Sequence, residues 1–157
     1  MCPLLDFLNN HDKLASGLLN LQRGCDMPRV LVAEDNFSSR EVLVRYLKLA
    51  GHNVVSVGDG QAAWKILDRG EKFDLTMSDN NMPHMTGVEL LRRVRADKRT
   101  AGMPFALMSG WAAVSEHDPT DLKKACDKLH ATFVEKPFDC EAVIVQLLGF
   151  QREMDDS

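Results

Sequence analysis

The side chains of this sequence that could do chemistry together are the carboxylates of Glu34, Asp35 and Asp79, the ammonium of Lys136 and the hydroxyl of Ser109. Each stands at the end of a short apolar run. Val30–Ala33 precedes Glu34-Asp35, and Phe73–Ser78 precedes Asp79-Asn80-Asn81-Met82-Pro83. A run from Pro104 ends at Ser109-Gly110, and one from Ala131 to Glu135 precedes Lys136-Pro137. Three carboxylates brought together repel, so at least one must hold its proton more tightly unless a cation lies among them. A hard divalent ion with oxygen ligands meets that need. Magnesium suits it, because it takes a few carboxylates, keeps some waters and can also hold a phosphate. Lys136 as a point charge and Ser109 as a donor suit the oxygens of a phosphoryl group. An aspartate can itself be the nucleophile in phosphoryl transfer and form an aspartyl phosphate.

These groups can meet only if the elements carrying them converge. From Arg29 onward short apolar runs alternate with amphipathic stretches. The strand-like runs are Val30–Ala33, Asn53–Val57, Phe73–Ser78, Pro104–Ser109 and Ala131–Glu135. The helical stretches carry Leu43 to Leu49 before Gly51, Ala62 to Leu67 before Gly70, Val88 to Val94, Leu122 to Leu129, and Ala142 to Leu148. Five βα repeats with short connections predict an α/β fold: one parallel sheet with helices on both faces and right-handed crossovers. Such a doubly wound sheet binds its ligand at the carboxyl ends of the strands. If strands 1 and 3 are neighbours and strand 2 lies outside them, the groups on strands 1, 3, 4 and 5 share one crevice. The second strand ends at Gly58-Asp59-Gly60 with no evident contribution.

Composition narrows the function classes. With 157 residues, 45% hydrophobic and 27% charged, the chain reads as about one ordinary globular domain, which rules out disordered and low-complexity classes. A net charge of −4 gives no basic surplus for nucleic acid or an anionic membrane. The longest uncharged stretch, Thr100 to Ser115, is shorter than the ~20 residues of a membrane span and is broken by Gly102, Pro104 and Gly110, and no basic n-region marks a secretory signal. Four cysteines, at 2, 25, 126 and 140, form no C-x-x-C pair and read as reduced thiols of a cytoplasmic protein. Neither G-x-G-x-x-G nor a P-loop is present, so no nucleotide cofactor is expected. The histidines at 11, 52, 84, 117 and 130 lack zinc-site spacing, and the run Arg92, Arg93, Arg95, Lys98, Arg99 reads as a solvated helix face. Residues 1–27 stand apart as an apolar helical extension and linker, with Leu4/Leu8 and Leu14/Leu18/Leu21 at helical spacings. Two readings fit it: short helices packed on the domain, or an arm that makes a homodimer.

The segments Val30–Asn36 (VLVAEDN) and Asp74–Gly87 (DLTMSDNNMPHMTG), Ser109 after Met108, and Lys136-Pro137-Phe138 resemble the receiver domain of bacterial two-component response regulators. The resemblance covers residues 29 to about 150, in order. It implies a flavodoxin-like sheet of order 2-1-3-4-5 and a division into an extension (1–27), a receiver (28–150) and a tail (151–157). It implies that Asp79 is the phosphoacceptor and that Asp35 holds Mg2+ directly, with Glu34 acting through water. Asn81 would offer the metal its backbone carbonyl, and Lys136 would pair with Asp79 or its phosphate. Ser109 takes the place of the switch hydroxyl and Phe133 that of the switch aromatic, and the Lys136-Pro137 bond is often cis in similar proteins. The implied partners are a sensor histidine kinase or phosphotransfer protein and a downstream protein target. Output would pass through the surface of the fourth helix, fifth strand and fifth helix. Only seven residues follow Phe150, so no output domain is expected there.

The sequence departs from the family pattern in several places. Glu34 replaces the commoner aspartate, Gly110 a small alanine, and Leu129 a glycine that often ends the fourth helix. The stretch from Ser109 to Asp121 is about five residues longer than usual. Two readings fit Trp111, two after Ser109: it borders the phosphoryl site near Pro83 and Gly110 and, with Asn81, sets the lifetime of the aspartyl phosphate by excluding water, or the long loop carries it away from the site. Two competing readings remain open at this point. One is a magnesium-dependent phosphatase with an aspartyl nucleophile, against which Asn81 stands where a second acid would be needed. The other is a constitutive interaction module dimerised through residues 1–27.

Overall fold

The computed structural model describes residues 27–110 and 119–155. The helical extension expected over residues 1–27 lies outside them except for Met27. So does most of the long stretch after Ser109. Five strands and five helices alternate: β1 Arg29–Ala33, α1 Phe37–Leu49, β2 Asn53–Val57, α2 Gly60–Asp68, β3 Leu75–Asp79, α3 Gly87–Ala96, β4 Phe105–Gly110, α4 Pro119–Lys128, β5 Thr132–Lys136 and α5 Cys140–Asp155. The strands form one parallel sheet in the order β2-β1-β3-β4-β5, which is the order expected.

Alternation along each strand divides the core in two. Leu31, Ala33, Phe105 and Leu107 face α2, α3 and α4, where they meet Ala63, Leu67, Leu90, Leu91, Val94, Leu122 and Cys126. Val30, Val32, Leu75, Met77, Ala106 and Met108 face α1 and α5 and meet Leu43, Leu47 and Ile144. The three inner strands are buried on both sides; β1 and β4 accordingly read as near-continuous apolar runs, whereas β3 buries Thr76 and Ser78 beside Leu75 and Met77. Methionine is prominent in both layers: Met77 and Met108 on one face, Met82, Met85 and Met103 on the other.

Several boundaries differ from those expected. α1 begins at Phe37, well before its first buried leucine, because Asn36 caps it by accepting from the Ser39 N–H at 2.9 Å. β3 and β5 each run one residue further than expected, so Asp79 and Lys136 are the last residues of their strands and not the first of the loops. α5 continues past Leu148 to Asp155. At the end of α4 the left-handed position belongs to His130 (φ 51°), one residue after the Leu129 that stands in for glycine. Histidine tolerates that conformation better than most side chains do.

Arg95 corrects the reading of the basic run as a solvated face. Its guanidinium is half-buried and donates to the carbonyls of Leu129 (2.7 Å), Ala101 (3.0 Å), Met103 (2.7 Å) and His130 (2.9 Å). It therefore ties the end of α3 to the α3–β4 loop and to the end of α4. Asp59, at the end of β2, also has a role: its carboxylate caps α2 through the Ala62 N–H at 2.7 Å.

Gly87, eight residues after Asp79, opens α3 against the sheet. A Cβ there would overlap the Asp79 carbonyl oxygen and lie 2.5 Å from a Leu107 methyl. Neither obstacle can swing away, since one is backbone and the other is packed in the core. Gly87→Ala is expected to cost ~1–3 kcal/mol through overpacking. The check is urea denaturation, with a lower midpoint at an unchanged slope; an unshifted midpoint would mean the contact relaxes freely.

Candidate functional site

The carboxyl ends of β1, β3, β4 and β5 bring together the groups singled out from the sequence. Glu34 and Asp35 follow β1 directly. The Glu34 side chain is buried, and Asp35 is exposed. Asp79 closes β3 and is nearly buried. Carboxylate oxygens of Glu34, Asp35 and Asp79 lie within 4.8 Å of one another. Lys136, at the end of β5, reaches across the sheet. Its Nζ donates to Glu34 Oε2 at 2.5 Å and to Asp79 Oδ1 at 2.8 Å. The Lys136-Pro137 bond that follows is cis.

The backbone holds the remaining carboxylate oxygens. Glu34 Oε1 accepts from the Asn36 N–H at 3.2 Å, and Asp79 Oδ2 accepts from the Asn81 N–H at 2.9 Å. Both oxygens of Glu34 are thus engaged within the protein, while the exposed Asp35 projects at the rim. Arg40 on α1 donates to the Glu34 backbone carbonyl at 2.6 Å, which fixes the turn out of β1.

Ser109 is buried in the last turn of β4, one residue beyond the Met108 that pairs with Asp79. Gly110 pairs with Lys136 in the β4–β5 register. Phe133, paired with Leu107, is half-buried and packs on the α2–α3–α4 side of the sheet. Asn81 and Pro83 are exposed on the loop after β3, and the Pro83 carbonyl accepts from the Met85 N–H at 2.7 Å. Trp111, expected beside Ser109, lies outside the described residues.

Asn80 is a site-forming residue that sequence reasoning passed over. It is buried; its N–H donates to the Met108 carbonyl, and its own carbonyl accepts from the Gly87 and Met82 N–H groups. Its side-chain oxygen accepts from the Val88 N–H at 3.3 Å. Asn80 therefore folds the loop after Asp79 back onto the start of α3. The only sequence signal was a short polar side chain directly before an amide-rich turn. His84, taken as a surface or packing residue, sits in the same loop at φ 64° with Nδ1 3.5 Å from Asp59 Oδ2.

The charges are unevenly accommodated. Burial pushes the Glu34 carboxyl above the ordinary value, the nearby Asp79 charge adds to it, and the Lys136 bond only partly offsets them. Burial pulls the Lys136 ammonium down, but its bonds to Asp79 and Glu34 outweigh that and leave it above the usual 10.5. The two shifts act on stability in different ranges. The stabilisation from Lys136 is complete below the ordinary lysine value and is lost as pH rises through the raised one. Ionised Glu34 weighs against folding above its raised value, and that burden is relieved as pH falls through it.

Lys136→Met removes the shared cation from two buried carboxylates. The variant is expected to lose ~1–3 kcal/mol of stability near neutral or higher pH. The deficit should shrink at about pH 5, where the unpaired carboxylates take up protons. Urea denaturation at both values checks this, and an equal deficit at both would show that lost packing, not charge, is responsible.

Comparison with known proteins agrees with this geometry. The family described as the response regulator receiver domain matches residues 30–148. The two-component response regulator ORR3 of Oryza sativa is 31% identical over 110 residues, which is 70% of this chain and 80% of that protein. The 3',5'-cyclic-nucleotide phosphodiesterase regA of Dictyostelium discoideum is 40% identical over 85 residues, 54% of this chain but only 11% of that protein. Among solved structures, the receiver domain of a sensor histidine kinase from Pseudomonas aeruginosa, with a magnesium ion coordinated in its active-site cleft, superposes with a TM-score of 0.67. It is 21% identical, and the match covers 79% of this chain and 99% of that one. Fold order, site composition and family match agree: this chain belongs to the receiver-domain family of two-component response regulators.

Proposed function

We propose that this chain accepts a phosphoryl group on Asp79 from a histidine kinase or phosphotransfer protein, with Mg2+, and relays the change through protein contacts. The observation that carries the reading is the Lys136 ammonium bridging Asp79 and Glu34 beside Asp35. An ordinary structural salt bridge needs one carboxylate per cation. Three at a strand end, one of them exposed, leave excess negative charge facing solvent.

That donor set fits a hard divalent ion. Asp35 and Asp79 would hold it directly, with the backbone carbonyl of Asn81. Glu34, which shares Lys136 with Asp79, would act through water, as the family resemblance implies. Bound there, magnesium supplies positive charge against the oxygens of the incoming phosphoryl group.

The protein's own groups do the rest. The Asn81 N–H and Lys136 orient the Asp79 carboxylate, so that one oxygen can attack phosphorus in line. The new bond is O–P, the bond broken is N–P of the donor's phosphohistidine, and the imidazole leaves with the electron pair. Lys136, already above the usual lysine value, stays cationic and can follow the added charge. Ser109, at the end of β4, would donate to a phosphoryl oxygen. Its movement, followed by Phe133, would shift the surface of α4, β5 and α5 toward a second state by a difference in affinity for the phosphorylated form.

Asn81 stands two residues after the nucleophile, where an aspartyl phosphatase needs an acid, and its amide group cannot serve as one. We read the chain accordingly as a signalling phosphoacceptor and not an enzyme acting on added phosphomonoesters. Among the described residues no helix is long and apolar enough to cross a membrane, and Cys126 and Cys140 are free thiols. Both facts suit the proposed cytoplasmic location.

Acetyl phosphate with Mg2+ is expected to add one phosphoryl group by intact mass, and Asp79→Asn or chelation of the metal should abolish it. Labelling that survives in Asp79→Asn would move the acceptor elsewhere. Absence of labelling in the wild type would leave the receiver fold without its switch.

A further inference from the structure

Asp35 is the exposed member of the acidic group, and among the described residues no hydrogen bond or ion pair holds its carboxylate. Its position therefore depends on the backbone that carries it. That backbone is the Glu34–Asp35 peptide, whose planarity ties the direction of the Glu34 carbonyl to the place of the Asp35 Cα. The carbonyl accepts from Arg40 Nη1 at 2.6 Å. On its other side, the Glu34 N–H donates to the Val57 carbonyl at 3.1 Å.

Arg40 is itself confined. It is half-buried, and its Nη1 passes beside Gly58 at the end of β2, 3.5 Å from where a Cβ would stand. The guanidinium carbon lies 5.6 Å from the centre of the Phe37 ring, within the range of a cation–π contact. The guanidinium is thus bounded by the Glu34 carbonyl, by Gly58 and by the Phe37 ring. A planar, forked group suits such a place better than the compact ammonium of lysine does.

We propose that Arg40 is a positioning residue for the divalent ion. By holding the Glu34–Asp35 peptide, it keeps the Asp35 carboxylate where an ion held by Asp79 can share it. The inference rests on the metal site proposed above. A role confined to starting α1 does not account for the bond. The helix has its own cap in Asn36, and the Arg40 backbone N–H already bonds the Asn36 carbonyl at 2.9 Å. The side chain instead leaves the helix and reaches back to the end of β1. Its charge points the other way from its geometry. A cation fixed at the base of the acidic group opposes a second cation by Coulomb repulsion. Removing Arg40 should therefore tighten Mg2+ binding if charge dominates, and weaken it if positioning dominates.

The test is calorimetric titration of the full chain with Mg2+ at fixed ionic strength, beside urea denaturation of each variant. Arg40→Gln is expected to weaken Mg2+ binding roughly tenfold, as loss of a group that orients a metal ligand does. Arg40→Lys, which keeps the charge, is the second variant and should weaken it by roughly threefold or more. Arg29→Gln is the control. It removes the same charge at the opposite end of β1, where the side chain donates to the Lys72 carbonyl and Glu71. It should lose stability and keep the wild-type Mg2+ affinity. Unchanged affinity in both Arg40 variants, tighter binding in Arg40→Gln, or an equal loss in Arg29→Gln would overturn the proposal while leaving the metal site in place. A wild type that binds no Mg2+ would overturn the metal site and this role with it.

Discussion

Two carboxylates sit buried at the ends of strands that start far apart in sequence, and one ammonium holds them there. Without Lys136, Glu34 and Asp79 would each face a neighbour of like charge in a poorly solvated crevice. Such crowding is sustainable only if a cation is delivered to the same point. The sheet order provides that delivery. β1 and β3 are adjacent and carry the acids, while β5 lies two strands from β3 and three from β1, near enough for a lysine side chain and too far for a shorter one. Long reach and a single compact charge are properties of lysine that arginine would not reproduce at a site proposed to admit a phosphoryl group.

Around that centre the backbone is fixed by small, local devices. Asn80 bonds back to Met108, Gly87 and Val88, and Gly87 allows α3 to begin in contact with the Asp79 carbonyl. Thr86 and Glu89 form a capping box at the same helix start. The loop between β3 and α3 is therefore held by bonds at Asn80, Thr86, Gly87 and Glu89. The acidic rim stays open by contrast: Asp35 and Asn81 are exposed, where an incoming ligand can reach them.

Much of this was legible in the sequence because it is local. The βα alternation, the apolar runs of β1 and β4 and the residue types at each strand end are properties of contiguous segments, and strand order then follows from few allowed topologies. What was hidden depends on distant partners. Arg95 looks like its exposed neighbours Arg92, Arg93, Lys98 and Arg99, and only the assembled fold offers it four carbonyls from two separate loops. The start of α1 is hidden for a related reason: its first turn is polar or exposed, so the apolar pattern begins later than the helix. Leu129 stands where a glycine often ends the fourth helix, but the left-handed residue is His130, one position later, with the Ala131 N–H bonded to the Cys126 carbonyl.

The methionines give the acidic loop a particular mechanical character. Met82 and Met85 anchor the segment after Asp79 to the core, while Met108, paired with Asp79 on the neighbouring β4, packs in the opposite layer. Thioether chains are unbranched and rotate easily, so they can refill space that a leucine would leave as a void. A loop seated on leucine or valine would resist displacement with the full cost of a cavity. Seated on methionine, it can change position while its floor stays filled. The same softness makes the seat vulnerable: conversion of either sulfur to the sulfoxide would put a polar, bulkier group under the one segment that must keep Asp79 aligned.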